Sequence, residues 1–395
     1  MTLTPIFAQS TEIAAWLVAA LWAFKSAEVV RNLPRVPDLL LLPQILRRET
    51  PSLTVIVPAR NEQAHVSACV ESLLAQDYPN LQILAVDDRS TDQTGPLLTA
   101  LAAAHPDRLR VLTITELPPD WLGKTHAMAE AAAQSPTDYL LFTDADVLFA
   151  PDALSRAIAQ TLATHADHFV LAPTLIIRRW DEAAVLGLFQ LLGLFAVRLW
   201  RVPDPRSLRD AFGVGAFNLL KRSAYLQIGA FEALRMEIVE DLGLGRRIKR
   251  AGLAQRFAFG RNLVRVHWAS GALGITEVMT KNLFAGLHFN LFLLVGACLS
   301  ITGFCILPFA GVAFEPLRLP ALITIAAIAL EYRALSRQSG IPTWNALLMP
   351  FGALLFVYAL LRSAAITLCQ GGVIWRGTFY PLAELRRRAA PITWR

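Results

Sequence analysis

Cysteine is scarce: four in 395 residues, Cys69, Cys298, Cys305 and Cys369, none at metal-ligand spacing from a histidine. That excludes a disulfide framework and a Cys/His metal site, and all four are expected to be buried packing thiols. Lysine is scarce too; only Lys25, Lys124, Lys221, Lys249 and Lys281 occur, so the net charge of +6 is carried almost wholly by arginine. Charge of either sign is thin, at 17% of residues, where soluble domains carry about a quarter. With 54% hydrophobic residues and a mean hydropathy of +0.44, the chain is too apolar to be purely soluble. It is also too charged to be membrane spans alone, so one soluble domain plus several spans is expected. Disorder and collagen-like structure are excluded. No internal repeat and no basic-aromatic stacking motif is present, so no nucleic-acid partner is expected. The arginines suit an anionic membrane surface and phosphate ligands.

Long apolar runs are what the chain does have. Residues 5–24 form one, interrupted by Thr11 and Glu12, with no Lys or Arg before it and no small-residue cleavage site after it. It reads as an uncleaved anchor rather than a signal peptide. Lys25, Arg31, Arg35, Arg47 and Arg48 follow it, which puts the N-terminus outside and the following segment in the cytoplasm. Three further runs, 283–313, 319–332 and 344–369, lie near the other end. A span needs about 20 apolar residues, so the first and last qualify and the middle one is short. Three crossings would leave the C-terminus outside. The tail carries Arg376, Arg386, Arg387, Arg388 and Arg395, which argue for inside, so one run reads as re-entrant or interfacial. Ala183–Trp200, with only Gln190 and Arg198 polar, is expected to lie on the membrane surface; a buried core helix is the alternative.

Between these runs the pattern alternates. Leu53–Val57, Leu81–Val86, Leu109–Ile114 and Tyr139–Phe142 read as strands, and Ala64–Leu74, Leu97–Ala104 and Lys124–Ala133 as helices. That is an α/β domain with a mostly parallel sheet, whose ligands bind beyond the carboxyl ends of the strands. Acidic motifs stand at those ends: Val57-Pro58-Ala59-Arg60-Asn61-Glu62, Val86-Asp87-Asp88-Arg89-Ser90-Thr91-Asp92, and Leu141-Phe142-Thr143-Asp144-Ala145-Asp146. Val239-Glu240-Asp241-Leu242 follows about 95 residues later.

Two carboxylates one residue apart beyond a buried strand suit a hard divalent cation, Mg2+ or Mn2+, that keeps positions open for phosphate oxygens. The other reading of Asp144 and Asp146 is an Asx-type turn, with Asp152 capping the next helix. Asp88 is placed to accept from a base imide or a ribose, while Ser90 and Asp92 suit capping. Lys124 opens a helix, where a cation opposes the dipole, which points to an anion such as diphosphate; a mobile surface lysine is the alternative. Glu240 and Asp241 are either helix-dipole partners or a general base.

As a set, these motifs together with Gln76-Asp77-Tyr78-Pro79 resemble the family 2 glycosyltransferases with a GT-A fold, over roughly residues 52–265. Trp121-Leu122-Gly123-Lys124 and Gly372-Val373-Ile374-Trp375-Arg376-Gly377 are similar to the membrane-bound subgroup that glycosylates ceramide, carotenoids or hopanoids. The resemblance implies donor-binding roles for Pro58, Ala59, Arg60, Glu62, Asp88 (on uridine), Lys124 and Asp144. It implies Asp144 and Asp146 as ligands of Mg2+ or Mn2+, and Asp241, beside Glu240, as the general base of an inverting displacement. Gly213 and Gly215 would let backbone approach sugar and acceptor. The partners implied are a nucleotide-sugar donor, a lipid acceptor and the membrane, with a multi-pass protein in the inner membrane and its catalytic domain cytoplasmic.

The resemblance has one gap. The Gln-x-x-Arg-Trp motif of polysaccharide synthases is replaced by Thr280-Lys281-Asn282-Leu283-Phe284, which favours transfer of a single sugar. A polymer-forming transferase and a catalytically silent scaffold remain as alternatives. A haloacid-dehalogenase-type phosphatase also places Asp-x-Asp after a strand, but here the motif is mid-chain. A dinucleotide site fails, because Asn218 stands where Gly213-Val214-Gly215 would need its third glycine. The expected partition is an anchor and linker over 1–50, a GT-A domain over 51–270 and a membrane region over 271–395.

Overall fold

The computed structural model describes residues 5–42 and 50–388; Arg47, Arg48 and Arg395, cited above as flanking charge, lie outside the described residues. The chain forms two compact units, each discontinuous in sequence. One comprises Val36–Ile176, Val197–His267 and Ile374–Arg395; the other comprises Met1–Arg35, Ile177–Ala196 and Trp268–Val373. Where the sequence suggests three consecutive segments, residues 177–196 leave the middle one and 374–395 leave the last.

The first unit is α/β. Its strands are β1 (Leu53–Ala59), β2 (Leu81–Asp88), β3 (Leu109–Ile114), β4 (Tyr139–Phe142), β5 (Val147–Phe149), β6 (His168–Ala172), β7 (Thr174–Leu175), β8 (Asn218–Lys221), β9 (Gln255–Phe259) and β10 (Val264–Val266). Seven of them make one sheet in the order β3-β2-β1-β4-β8-β6-β9. It is parallel except for β8, which runs against both β4 and β6. A three-stranded sheet, β5-β10-β7, stands beside it.

Helices cover both faces, so the strands are apolar on both sides. Side chains alternate between two cores. Val55, Val57, Ile83, Ala85 and Leu141 meet the helices Val66–Leu74 and Ala153–Ala163. Ile56, Leu84, Val86, Leu140 and Phe142 meet Gly123–Ala133 and Glu240–Arg250. Pro58 is tolerated in the central strand because β4 pairs with β1 only as far as Ile56↔Phe142, so no ladder bond is lost there. The register aligns Ala59 with Asp87, and the ends of β1, β2 and β4 share one edge.

The second unit is helical. Among the described residues, four helices are long and apolar enough to cross a membrane: Gln9–Arg35, Leu291–Gly311, Glu315–Ser339 and Thr343–Gln370. The third corrects the sequence reading. The apolar core at 319–332 is extended by helical turns on both sides, and Pro320 sits inside the helix rather than ending it. Pro5–Asn32 packs on Glu315–Ser339 through the Ser26 hydroxyl, which donates to the Ala327 carbonyl (2.8 Å) and to Glu331 (3.0 Å).

The expectation of a surface-lying helix at Ala183–Trp200 is also corrected. The helix is Trp180–Ala196, and Ala183–Leu188, Leu191 and Leu194 are buried against Gly271–Gly286 and Met349–Gln370. Its apolarity serves protein packing. Asp181 and Glu182 at its start accept from the Ala272 and Gly271 amides (3.0 and 2.8 Å), capping the neighbouring helix. Among the thiols, Cys69 and Cys305 are buried as expected, whereas Cys298 is half-buried and Cys369 is exposed.

Gly352 lies so close to the Ala184 carbonyl that a Cβ there would overlap it, while Gly296 has open space around it. Gly352→Val is therefore expected to cost about 1–3 kcal/mol by overpacking and to lower the melting temperature in detergent. Gly296→Val should leave it unchanged; equal melting of the two variants would contradict the packing.

Candidate active site

Three loops meet at the shared edge of β1, β2 and β4, and the polar residues that follow the strands join them. Ser90 accepts from the Asn61 amide (3.1 Å), Asn61 from Thr91 (2.8 Å), Thr94 from Glu62 (2.8 Å), and Asp92 from Gln63 (3.2 Å). Asp92 also accepts from the Thr94 amide (2.9 Å) at the start of helix Thr94–Ala104. Asp92 thus serves the start of that helix, whereas Ser90 ties the loop after β2 to the loop after β1, and Asp88 is left for other work. Asn61 and Arg89 hold left-handed backbone, φ +55° and +57°. For arginine that costs about 1 kcal/mol.

Asp88 is buried and paired with Arg89, Nε at 2.8 Å and Nη2 at 3.2 Å. The pair lies against Gly123, where a Cβ would stand 2.5 Å from Asp88 Oδ2 and 2.7 Å from Arg89 Nη2. Glycine is required there for the helix Gly123–Ala133 to start this close to β2. Alanines 127, 129, 131 and 132 then keep that helix tight on the sheet.

One residue on, Lys124 reaches Asp144 Oδ1 and Glu240 Oε1, both at 2.6 Å. It is no mobile surface lysine. Burial works against its charge, but the two carboxylates outweigh that and raise its pKa. Burial, then Asp144 and Glu62, push Asp146 up to about 6. Burial, then Glu240, push Asp241 up to about 7, although Oδ1 of Asp241 accepts from the Leu242 amide at 2.7 Å. Both acids therefore sit where negative charge is crowded and poorly solvated.

Gly213 and Gly215 explain the crowding. A Cβ at Gly213 would overlap the Asp241 carbonyl, and one at Gly215 would overlap the Asp144 carboxylate and stand 3.4 Å from Lys124 Nζ. Both glycines thus admit protein groups of the site itself. Their loop is pinned by residues with no motif signature. Gln255 holds Phe212 by N–H (3.1 Å) and carbonyl (2.8 Å), Asn218 donates to the Val214 carbonyl (2.6 Å), and Thr143 donates to the Ala216 carbonyl (2.7 Å). His168 links Gln255 to Asn218. Burial drives its pKa down to about 4, so it is a neutral structural bridge.

A contact absent from the sequence reading comes from the C-terminal hairpin, β11 (Gly372–Trp375) and β12 (Thr378–Pro381). Arg376 pairs with Glu62 (2.6 Å) and donates to the Arg60 carbonyl (3.2 Å). Arg60 donates to the Thr378 hydroxyl (3.1 Å), and Tyr380 Oη accepts from the Gly123 amide (3.2 Å). Burial, then Arg89, lower the Arg60 pKa. The hairpin signal, Arg-Gly between two β-rich tetrads, is readable, but its location is not.

Among the described residues no three His, Cys, Asp or Glu are arranged to hold a metal ion. Asp144 and Asp146 supply two hard oxygen donors on one short loop after β4. The donor set fits a cation that takes its remaining ligands from substrate.

Residues 54–243 match the model of glycosyl transferase family 2. The chain is similar to the 4,4'-diaponeurosporenoate glycosyltransferase of Staphylococcus aureus strain bovine RF122, 25% identical over 350 residues, covering 84% of this chain and 89% of that one. The strain MRSA252 protein of the same name is 24% identical with the same coverage. Among solved structures, a mannosyltransferase from Pyrobaculum calidifontis in complex with GDP-Man and Mn2+ shares the fold: TM-score 0.53 at 19% identity, over 90% of this chain and 98% of that chain.

Proposed function

We propose that this chain, a family 2 glycosyltransferase with a GT-A domain and apolar helices, moves one sugar from a nucleotide sugar to a lipid or polyprenyl-type acceptor. The observation that carries the reading is the gathering of Asp88, Lys124, Asp144, Asp146, Glu240 and Asp241 at one sheet edge, in a chain whose described residues include four helices apolar enough to cross a membrane. Relatives named for 4,4'-diaponeurosporenoate, a carotenoid, support a lipid acceptor.

Asp88, Arg60 and the Pro58–Glu62 loop bind the nucleotide, with uridine the first base to test. Asp144 and Asp146 hold a divalent cation, Mg2+ or Mn2+, which when bound supplies positive charge to the departing diphosphate. Lys124 keeps Asp144 and Glu240 in place and adds a cation beside the diphosphate. Asp241 takes the proton of the acceptor hydroxyl as its oxygen attacks the anomeric carbon from the face opposite the leaving diphosphate, which inverts the centre. Glu240, held by Lys124, acts by keeping the Asp241 pKa high. Thr280–Phe284, in the place of the polymer-synthase motif, lie in helix Gly271–Gly286, and Arg362 and Ser363 bond Thr280 there. Thr280 is thus used in helix packing, and the missing polymer-synthase motif favours single transfer.

One contact supports a reading of the membrane arrangement. Glu62 and Arg376 are ion-paired within the α/β unit, so the chain between them crosses the membrane an even number of times. Two of the three helices Leu291–Gly311, Glu315–Ser339 and Thr343–Gln370 then cross fully, and the basic tail lies with the catalytic unit on the cytoplasmic side.

Three outcomes are expected. Membranes holding the protein should move label from a UDP- or GDP-sugar into organic-extractable lipid, dependent on divalent metal and lost in Asp146→Ala. Label that survives in that variant would belong to the host, and no label with any donor would sink the reading. For the base, activity requires the Asp241 carboxylate unprotonated, so the rate should rise about tenfold per pH unit up to about 7 and then level. Asp241→Asn should lose about 100-fold or more in kcat along with that limb; a variant that keeps the limb would reassign the base. Finally, in protein with Cys298 and Cys369 replaced by Ser, Ala383→Cys and Glu130→Cys should react with impermeant maleimide from the same side. Labelling from opposite sides would overturn the even count.

A further inference from the structure

The hairpin that follows the last apolar helix has the features of a binding element, and the inference drawn from it rests on the nucleotide-sugar reading above. Its turn is two residues, Arg376 and Gly377, with φ +48° and +78°. A two-residue turn with positive φ at both positions suits Asn-Gly, Asp-Gly or Gly-Gly. Arginine at its first position is strained for a side chain that brings no local turn hydrogen bond. Packing gives no reason for it, since the guanidinium is partly exposed. What the position does provide is reach. Arg376 lies on Glu62 and on the Arg60 carbonyl, in the loop after β1.

The strand that follows makes two more contacts with the same edge. Thr378 accepts from Arg60 Nη1, and Tyr380 accepts from the Gly123 amide, one of the helix N–H groups that lack an intrahelical acceptor. Gly123 in turn touches the Asp88–Arg89 pair. Three guanidiniums, of Arg60, Arg89 and Arg376, therefore gather around two carboxylates, Asp88 and Glu62. The surplus falls on Arg60, whose Nε is buried without a partner among the described residues. A polyanion answers that surplus, and the nucleoside diphosphate is the polyanion this edge receives.

We infer that the hairpin is a wall of the donor site: Arg376 binds the nucleoside diphosphate, Thr378 positions Arg60 for it, and Tyr380 ties the hairpin to the start of helix Gly123–Ala133. Glu62 holds Arg376 ready when no donor is bound. The donor site is then completed only once the chain has passed through its membrane helices.

The test uses the full chain in detergent or nanodiscs, with Mg2+ and with UDP or GDP, whichever the wild type binds. Arg376→Asn removes the guanidinium and relieves the turn, so its melting temperature should equal or exceed that of the wild type. Its nucleotide affinity should nevertheless fall about 10- to 100-fold, as for a lost hydrogen bond between charged groups, with Arg376→Lys intermediate. The donor KM should rise more than kcat falls, and the acceptor KM should stay. Tyr380→Phe is a second, milder probe, with a fall of about threefold to tenfold. Unchanged nucleotide affinity in Arg376→Asn and Tyr380→Phe would overturn the inference. Losses in all variants that track a falling melting temperature would do the same, since the hairpin would then be structural only. If Arg376→Asn weakened adsorption to anionic vesicles and not nucleotide binding, the arginine would serve the membrane and the inference would fail. A wild type that binds neither UDP nor GDP would defeat the nucleotide-sugar reading itself, and the two failures are told apart by which protein shows them.

Discussion

Lys124 stands 2.6 Å from Asp144 on one side and 2.6 Å from Glu240 on the other, and the site is organised around that one ammonium. Burial, then Asp144 and Glu62, raise the Asp146 pKa, and burial, then Glu240 and Asp144, raise that of Asp241. Without the lysine, four carboxylates would converge in a poorly solvated edge with no protein cation among them, and like charges so placed repel strongly.

Putting a lysine there demands backbone in unusual places. Helix Gly123–Ala133 must begin against the end of β2, which is possible because residue 123 has no side chain to strike Asp88 and Arg89. The loop opposite must pass within contact of Asp144 and of the Asp241 carbonyl, which glycines 213 and 215 allow. Such a loop would be free to wander were it not fixed from behind. The buried His168–Asn218–Gln255 bridge and the Thr143 hydroxyl do that by satisfying its peptide groups. Charged chemistry at the edge thus depends on neutral hydrogen bonds in the core, which hold their geometry whatever the protonation of the acids.

Much of this was legible beforehand. The strands and the acids at their ends came from local pattern, because period-two burial and strand-end loops leave their mark within a few residues; the glycines at 213 and 215 came only from the family resemblance. The pairing partners of those acids were not legible. Lys124 meets Glu240 from 116 positions away, and nothing local distinguishes it from a solvated lysine. His168 and Gln255 look like ordinary strand residues; only their common burial beneath one loop gives them a role. The apolar helix Trp180–Ala196 failed for another reason. A helix that is hydrophobic nearly all round reads alike whether lipid or protein surrounds it.

By itself, then, the sequence determined the fold class, the acidic motifs and the presence of membrane-length apolar helices, since each is a local consequence of side-chain periodicity and run length. The tertiary structure decided which charges face each other and which apolar helix is enclosed by its neighbours. It also decided that a hairpin beyond the last membrane-length helix returns to the loop after β1, across 314 residues from Arg376 to Glu62. Contacts of that separation carry no periodic trace. They exist only when the sheet edge, the glycine-lined approach and the turn at Arg376 are assembled together.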